Sequence, residues 1–190
     1  MTGEAIATHL TELAKLRILV FRDYPYLYEG DLSYEEKYLA AFAQSPNAVI
    51  VGAFADDQLV GAATGSPLCY QEKAFRDPFS APGYQTEEIF YFGESVLLKE
   101  YRGRGIGHLF FDRREEHARS LPEIRHCAFC AVVRSLEHPA RPAQYQPLDR
   151  FWKKRGYAPL EGITTRLSWR ELEEPEESDH TMQFWMRSLI

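Results

Sequence analysis

An α/β chain with interleaved helices and strands is what this sequence predicts, and three observations predict it. Apolar residues recur at helical spacing through the first 45 or so positions. Short apolar runs bounded by turn residues follow them, as strands are. Later, Arg102-Gly103-Arg104-Gly105-Ile106-Gly107 makes a glycine-spaced turn between an apolar run at 95–98 and a helix-like segment.

Each element can be justified in order. Residues 4–22 predict a helix, because Ile6, Leu10, Leu13, Leu16 and Leu19 share helical spacing. Residues 24–31, rich in tyrosine, predict an aromatic loop. Ser33 followed by Glu36 predicts a capping box for a second helix, which carries Tyr34, Tyr38, Leu39 and Phe42 and ends near Pro46. Residues 48–54 and 58–64 predict a hairpin around Asp56-Asp57. The 66–86 stretch mixes proline, aromatics and charge and predicts an irregular segment. Residues 89–98 predict a long strand, and Gly93 within it predicts a bulge. A helix over 105–120, a strand over 124–133 and a proline-rich loop over 135–147 come next. A short helix starts at Pro147 and ends at Gly156, with basic residues in its last turn and a glycine free to take the left-handed position. Strands over 163–169 and 182–189 close the chain. No repeat or linker interrupts it, so residues 1–190 predict one domain: helices over 4–45, a sheet with the glycine turn over 48–133, and a helix with final strands over 147–190.

Composition narrows the function. The chain has 190 residues, 45% of them hydrophobic, enough for a real core. No stretch approaches a membrane span. Residues 1–20 lack a basic start followed by an apolar run, so no signal peptide is expected and the cytoplasm is the expected compartment. Net charge is −6, but residues 171–179 hold six acids and no base, and the rest of the chain is neutral. Without a basic stripe, nucleic acid is not an expected partner. The three cysteines, Cys69, Cys127 and Cys130, suggest no disulfide framework. Cys127 and Cys130 lie three apart on a predicted strand and so face opposite sides. They predict buried thiols, not a metal site, and no His/Cys/Asp cluster has ligand spacing.

The glycine turn predicts an anion site. The first N–H groups of a helix lack internal partners and point along the positive end of its dipole. Glycines let the backbone turn tightly and let a phosphate approach. The reading is a pyrophosphate cradle; a surface turn with two solvated arginines is the plain alternative. Spacing rules out a dinucleotide fingerprint, whose last glycine falls on His108 or Phe110, and a Walker loop is absent. What remains is R-x-x-G-x-G, at Arg102, Gly105 and Gly107.

This pattern resembles motif A of the GNAT superfamily of N-acetyltransferases. A second stretch, Phe151-Trp152-Lys153-Lys154-Arg155-Gly156-Tyr157, resembles the end of that family's fourth helix. The resemblance implies a central mixed, mostly antiparallel sheet of about six to seven strands flanked by about four helices. Motif A would follow the fourth strand and open the third helix. It also implies acetyl-CoA as co-substrate, no metal, and direct transfer of the acyl group to an amine, without a covalent intermediate. The cofactor-binding residues it implies are Val96, Leu97 and Leu98 on the strand, the backbone of Arg102, Gly103, Arg104, Gly105, Ile106 and Gly107, and Trp152 as tunnel wall. The oxyanion donor is expected at the N–H of Val96 or Leu97.

For a general base, Glu94 on the lead-in strand is the first choice, with Glu87 and Glu88 as fallbacks. For the acid, the family's usual tyrosine aligns with Trp152, whose indole has no titratable proton to give. Tyr145 is the nearest substitute, and His138 is a further loop candidate. The acceptor side should be built by the first two helices and the loop between them. There, Tyr24, Tyr26, Tyr28 and Glu29 place aromatics beside carboxylates, an arrangement suited to a cationic or aromatic amine. The expected acceptor is a small-molecule primary amine, or a peptide or protein amine. A non-catalytic CoA sensor or scaffold of the same fold is the alternative. The aromatic strand at 182–186 reads as core or as the interface of a homodimer.

Overall fold

The computed structural model describes residues 8–80 and 82–190. The start of the first expected helix lies outside them. Helix α1 (Leu10–Phe21) and α2 (Leu32–Ala43) lead into strands β1 (Val49–Ala55) and β2 (Gln58–Pro67). Helix α3 (Lys73–Ser80), β3 (Ile89–Leu97), α4 (Ile106–Arg119) and β4 (His126–Val132) follow. Helix α5 (Asp149–Lys154) precedes the long hairpin of β5 (Ala158–Arg170) and β6 (Glu177–Ser188). The six strands form one sheet in the order β1-β2-β3-β4-β6-β5. Every pairing is antiparallel except β3 with β4. The mixed, mostly antiparallel sheet expected above is therefore present, with five helices among the described residues.

The core divides by sheet face. Leu13 and Leu16 of α1, Leu39 and Phe42 of α2, and Ile50, Ala62 and Val96 of the sheet pack together on one face. Phe90, Phe92, Phe111, Phe129, Tyr157 and Trp185 pack under α4 and α5 on the other. A third cluster joins Phe79 of α3 to Leu68, Tyr91, Cys130, Met182 and Phe184. Phe184, Trp185 and Met182 are thus core, the first of the two readings of this strand.

Four expectations need correction. Helix α2 is capped by Asp31, not Ser33: the Tyr34 N–H donates to the Asp31 carboxylate at 2.8 Å. Both residue types cap well. Asp31 wins because the Glu29 N–H donates to Arg170 O and holds the incoming chain extended. The 66–86 stretch is not irregular throughout, since α3 sits inside it despite Pro78. Proline removes the bond that the Ala74 carbonyl would have accepted, and the Thr165 hydroxyl replaces that donor at 2.7 Å. The glycine turn follows the third strand and opens the fourth helix, because α3 adds a helix and no described strand precedes α1. The final strands are longer than periodicity suggested, and Glu177 and Asp179 of the acidic run lie within β6.

Candidate active site

The parallel pairing of β3 with β4 is short. It joins Ile89, Phe90 and Tyr91 to His126, Cys127 and Ala128 and then stops. Beyond Tyr91 the two strands diverge, β3 staying with β2 and β4 with β6, so a wedge opens between them.

A bulge lies just past the apex of the wedge. Phe92 pairs with Gly65 and Ser95 with Ala63, so Gly93 and Glu94 together face Thr64 alone. The expected bulge at Gly93 is therefore present. An extra residue reverses the side to which the following residues point. Phe92 packs on the α4 face, and without the bulge Glu94 would share it. With the bulge, Glu94 turns to the α1–α2 face beside Arg17, and Ser95 turns back to α4.

Backbone direction alternates as well. The Leu98 N–H donates to Val60 O at 3.0 Å. Amides two apart on an antiparallel strand point the same way, so Val96 also faces β2 and the Leu97 N–H faces the wedge. Of the two expected oxyanion donors, Leu97 fits and Val96 has its amide turned to the sheet, as does Leu98 beyond them.

The cradle stands at the wedge mouth. A short 3₁₀ turn, Lys99–Tyr101, leads into it. Gly103 and Gly105 have φ of 76° and 82°, and Gly105 is the N-cap of α4. A Cβ built on either meets nothing within 4 Å. Backbone conformation, not crowding, requires glycine here, and the space beside the turn is open to an anion. The His108 and Leu109 amides bond back to Gly105 O, which leaves the Ile106 and Gly107 amides directed out of the helix start. The Arg102 amide is not available, since it donates to Lys99 O at 3.1 Å. The arginine side chains line the mouth but bond to nearby backbone: Arg102 Nε to Leu97 O at 3.0 Å, and Arg104 Nη2 to Glu100 O at 2.9 Å. Open glycines, outward amides and two cations suit a phosphate-bearing anion.

On the acceptor side, Glu94 is 8% exposed. Arg17 Nη1 lies 2.6 Å from its Oε2, while Arg17 Nε donates to Glu35 at 2.5 Å. The other Glu94 oxygen, Oε1, is buried with no hydrogen-bond partner among the described residues. Burial alone would lower the Arg17 pKa, but Glu94, Tyr38 and Glu35 raise it, so the guanidinium stays charged. Burial, with Glu35 nearby, pushes the Tyr28 phenol pKa up.

The aromatic loop is tied down on both sides. Lys99 Nζ pairs with Asp23 at 2.9 Å. The Arg134 guanidinium donates to Pro25 O and Tyr26 O at 2.6 and 3.0 Å and pairs with Glu171. The Tyr24 ring meets Tyr145 edge-on at 4.6 Å and His138 at 5.7 Å, and its buried hydroxyl is unpartnered among the described residues. Tyr26 is held protonated by burial, with Cys130, Tyr145 and Glu94 near enough to raise its pKa further. Burial and Tyr24 likewise raise Tyr145. The structure thus sets Tyr24 against Tyr145, with Tyr145 and Glu94 near enough to Tyr26 for their charges to act on it. Glu29 lies apart, in an ion pair with Arg22 at 3.1 Å.

Trp152 packs at a tilt against Phe129 and Trp185, ring centres 5.0 and 5.1 Å away, half-buried on the β4 side of the wedge. Cys127 and Cys130 face opposite cores, as expected. Cys130 Sγ lies 3.1 Å from the Tyr91 hydroxyl at the apex. Among the described residues no group of three metal-ligating side chains occurs, and no described helix is long and apolar enough to cross a membrane.

Sequence reasoning missed Arg17, Glu35 and Arg114. Each carries a charge on the apolar stripe of its helix: Arg17 follows Leu13 by four, Leu39 follows Glu35 by four, and Arg114 follows Phe110 by four. A charge on a buried stripe needs a buried partner, and that was the available signal.

Comparison with known proteins agrees with this geometry. A family model described as the acetyltransferase (GNAT) family matches residues 13–157. No curated protein matches in sequence. A ribosomal-protein-alanine N-acetyltransferase from Brucella melitensis is similar in structure, with TM-score 0.61 and 14% identity over 96% of this chain and 95% of that one. An aminoglycoside 6'-N-acetyltransferase complexed with coenzyme A is similar at TM-score 0.61 and 16% identity, over 98% and 94%. Arabidopsis thaliana NAA60, in complex with a bisubstrate analogue, is similar at TM-score 0.58 and 10% identity, over 100% and 96%. At such identities these likenesses concern the fold, whereas the family match spans most of the chain. This chain belongs to the GNAT acetyltransferase family.

Proposed function

We propose that the protein is an acetyl-CoA-dependent N-acetyltransferase whose acceptor is a primary amine of a small molecule. One observation carries the reading. A single bulge turns Glu94 toward the acceptor side, while three residues on Leu97 turns its N–H into the wedge, with the glycine cradle at the wedge mouth. Acetyl-CoA supplies the activated acyl group, and the chain supplies placement, a proton acceptor and a donor.

The amides from Gly103 to Gly107 bind pyrophosphate and align the thioester along β3. An amine enters from the α1–α2 side, between Tyr24, Tyr26 and Glu94. Oε1 of Glu94 takes its proton, directly or through a water, while Arg17 holds Oε2. The nitrogen then bonds to the acyl carbon as the carbon–sulfur bond breaks. The Leu97 N–H donates to the carbonyl oxygen as charge gathers there. Tyr145, a protonated phenol, gives a proton to the departing sulfur, and the second proton shed by the new amide nitrogen, passed through solvent water, restores the phenol. Aromatic rings beside a buried carboxylate favour a cationic amine.

The test is release of CoA thiol from acetyl-CoA across a panel of small primary amines and peptides. Glu94→Gln should lower kcat by about a hundredfold or more, the usual contribution of a positioned base, with acetyl-CoA affinity kept. Acetyl-CoA binding without turnover of any amine would instead favour a sensor or scaffold. Faster turnover of peptides than of small amines would move the acceptor to that class.

A further inference from the structure

Arg114 lies on α4, the helix whose first turn forms the cradle, and is 1% exposed. Its Nη1 donates to Thr64 O and to Glu94 O, each at 3.0 Å. Nη2 donates to the Ser95 hydroxyl at 2.8 Å, and Nε to Phe110 O at 3.1 Å. The guanidinium lies 4.0 Å from the centre of the Phe92 ring. Among the described residues no carboxylate forms an ion pair with it. Burial lowers its pKa to about 10, which leaves it charged at neutral pH.

These partners are the groups a bulge disturbs. An extra residue interrupts the ladder and leaves backbone groups unpaired. Arg114 takes the two carbonyls, of Thr64 and Glu94, on the α4 side. From the other strand, the Thr64 hydroxyl accepts the Glu94 N–H at 3.2 Å. A Cβ at Gly93 would stand 2.6 Å from that hydroxyl, so any other residue there would push the Thr64 hydroxyl off the Glu94 N–H. Burying a cation costs more than burying an aliphatic side chain of similar volume. The compensation here is a fixed backbone geometry.

We propose that Arg114 is a positioning residue of the acyl transfer, its guanidinium locking the β3 bulge so that Glu94 faces the acceptor and the Leu97 N–H faces the wedge. The proposal rests on the function above. It also links the cradle to the base, since one helix carries both the anion site and the lock.

The test uses the full chain with Arg114→Lys and Arg114→Gln, each alone and combined with Glu94→Gln. Lysine keeps the charge and loses the planar fork. For folded Arg114→Lys we expect kcat to fall about a hundredfold, as for a displacement on the order of 1 Å at the reacting groups. The acetyl-CoA KM should change by less than about threefold. Added to Glu94→Gln, the same change should cost less, because the share of its effect that runs through the Glu94 carboxylate is already lost and only the share through the Leu97 N–H remains. Amide exchange over 93–97 should quicken while that of β4 stays unchanged. Wild-type kcat in folded Arg114→Lys, a loss confined to KM, or full additivity with Glu94→Gln overturns the proposal. If neither Arg114 variant folds, Ser95→Ala removes one partner at an exposed position. A lowered kcat there supports the lock, and an unchanged one overturns it. If the wild type acetylates no amine, the proposed function falls, and exchange over 93–97 alone decides whether Arg114 holds the bulge.

Discussion

Glu94 shows how one side chain depends on distant ones. Its oxygens are differentiated: Oε2 is held by Arg17 and Oε1 is left open. A carboxylate buried without Arg17 would be an uncompensated charge, and Arg17 without Glu35 would have one anchor fewer. The sequence made Glu94 a candidate through its place before the glycine turn, but its partners come from helices far along the chain and were not legible. The cysteines were legible, because strand alternation is local. Burial pushes the pKa of both Cys127 and Cys130 up to about 12, so each holds almost no thiolate near neutrality. Cys69 is half-exposed. At pH 8 the native protein should therefore react with a disulfide reagent at one thiol, Cys69, and at three after unfolding. A Cys69→Ser variant that still labels quickly in the native state would contradict this placement.

At the scale of elements, the glycine turn and the bulge were the most legible features. Both carry glycine, in the turn for its left-handed backbone and in the bulge for the close approach of Thr64, and glycine leaves a mark in sequence. Gly105 caps α4 at φ 82° with open space where a Cβ would stand. Gly105→Ala should thus destabilise the protein by about 1–2 kcal/mol through the left-handed backbone alone. It should also weaken acetyl-CoA binding by tilting the first amides of α4. Thermal unfolding and titration check the two effects, and a variant as stable and as tight-binding as wild type would count against the cradle geometry. Helix α3 was illegible for a physical reason. Pro78 reads as a breaker, and the Thr165 hydroxyl that replaces its missing donor comes from β5. The α2 cap was half legible. Asp31 and Ser33 are both good caps, and the choice fell to a backbone bond with β5.

For the whole molecule, strand content and the order of the later elements followed from turn residues and periodicity, and the mixed sheet followed from the family resemblance. What no local pattern encodes is the divergence of β3 from β4 after three paired residues, which makes the wedge. Nor does it encode the clamp of Arg134 on the aromatic loop, which brings Tyr24 and Tyr26 beside Glu94 and Tyr145. The central claim is that residues 103–107 hold the pyrophosphate of acetyl-CoA. Isothermal titration with acetyl-CoA tests it most directly, with pantetheine, ATP and NAD run alongside. The account predicts micromolar binding of acetyl-CoA and far weaker binding of pantetheine, which lacks the pyrophosphate, and of ATP and NAD, which lack the pantetheine arm. No heat with acetyl-CoA from folded protein, or equal binding of pantetheine, would contradict it.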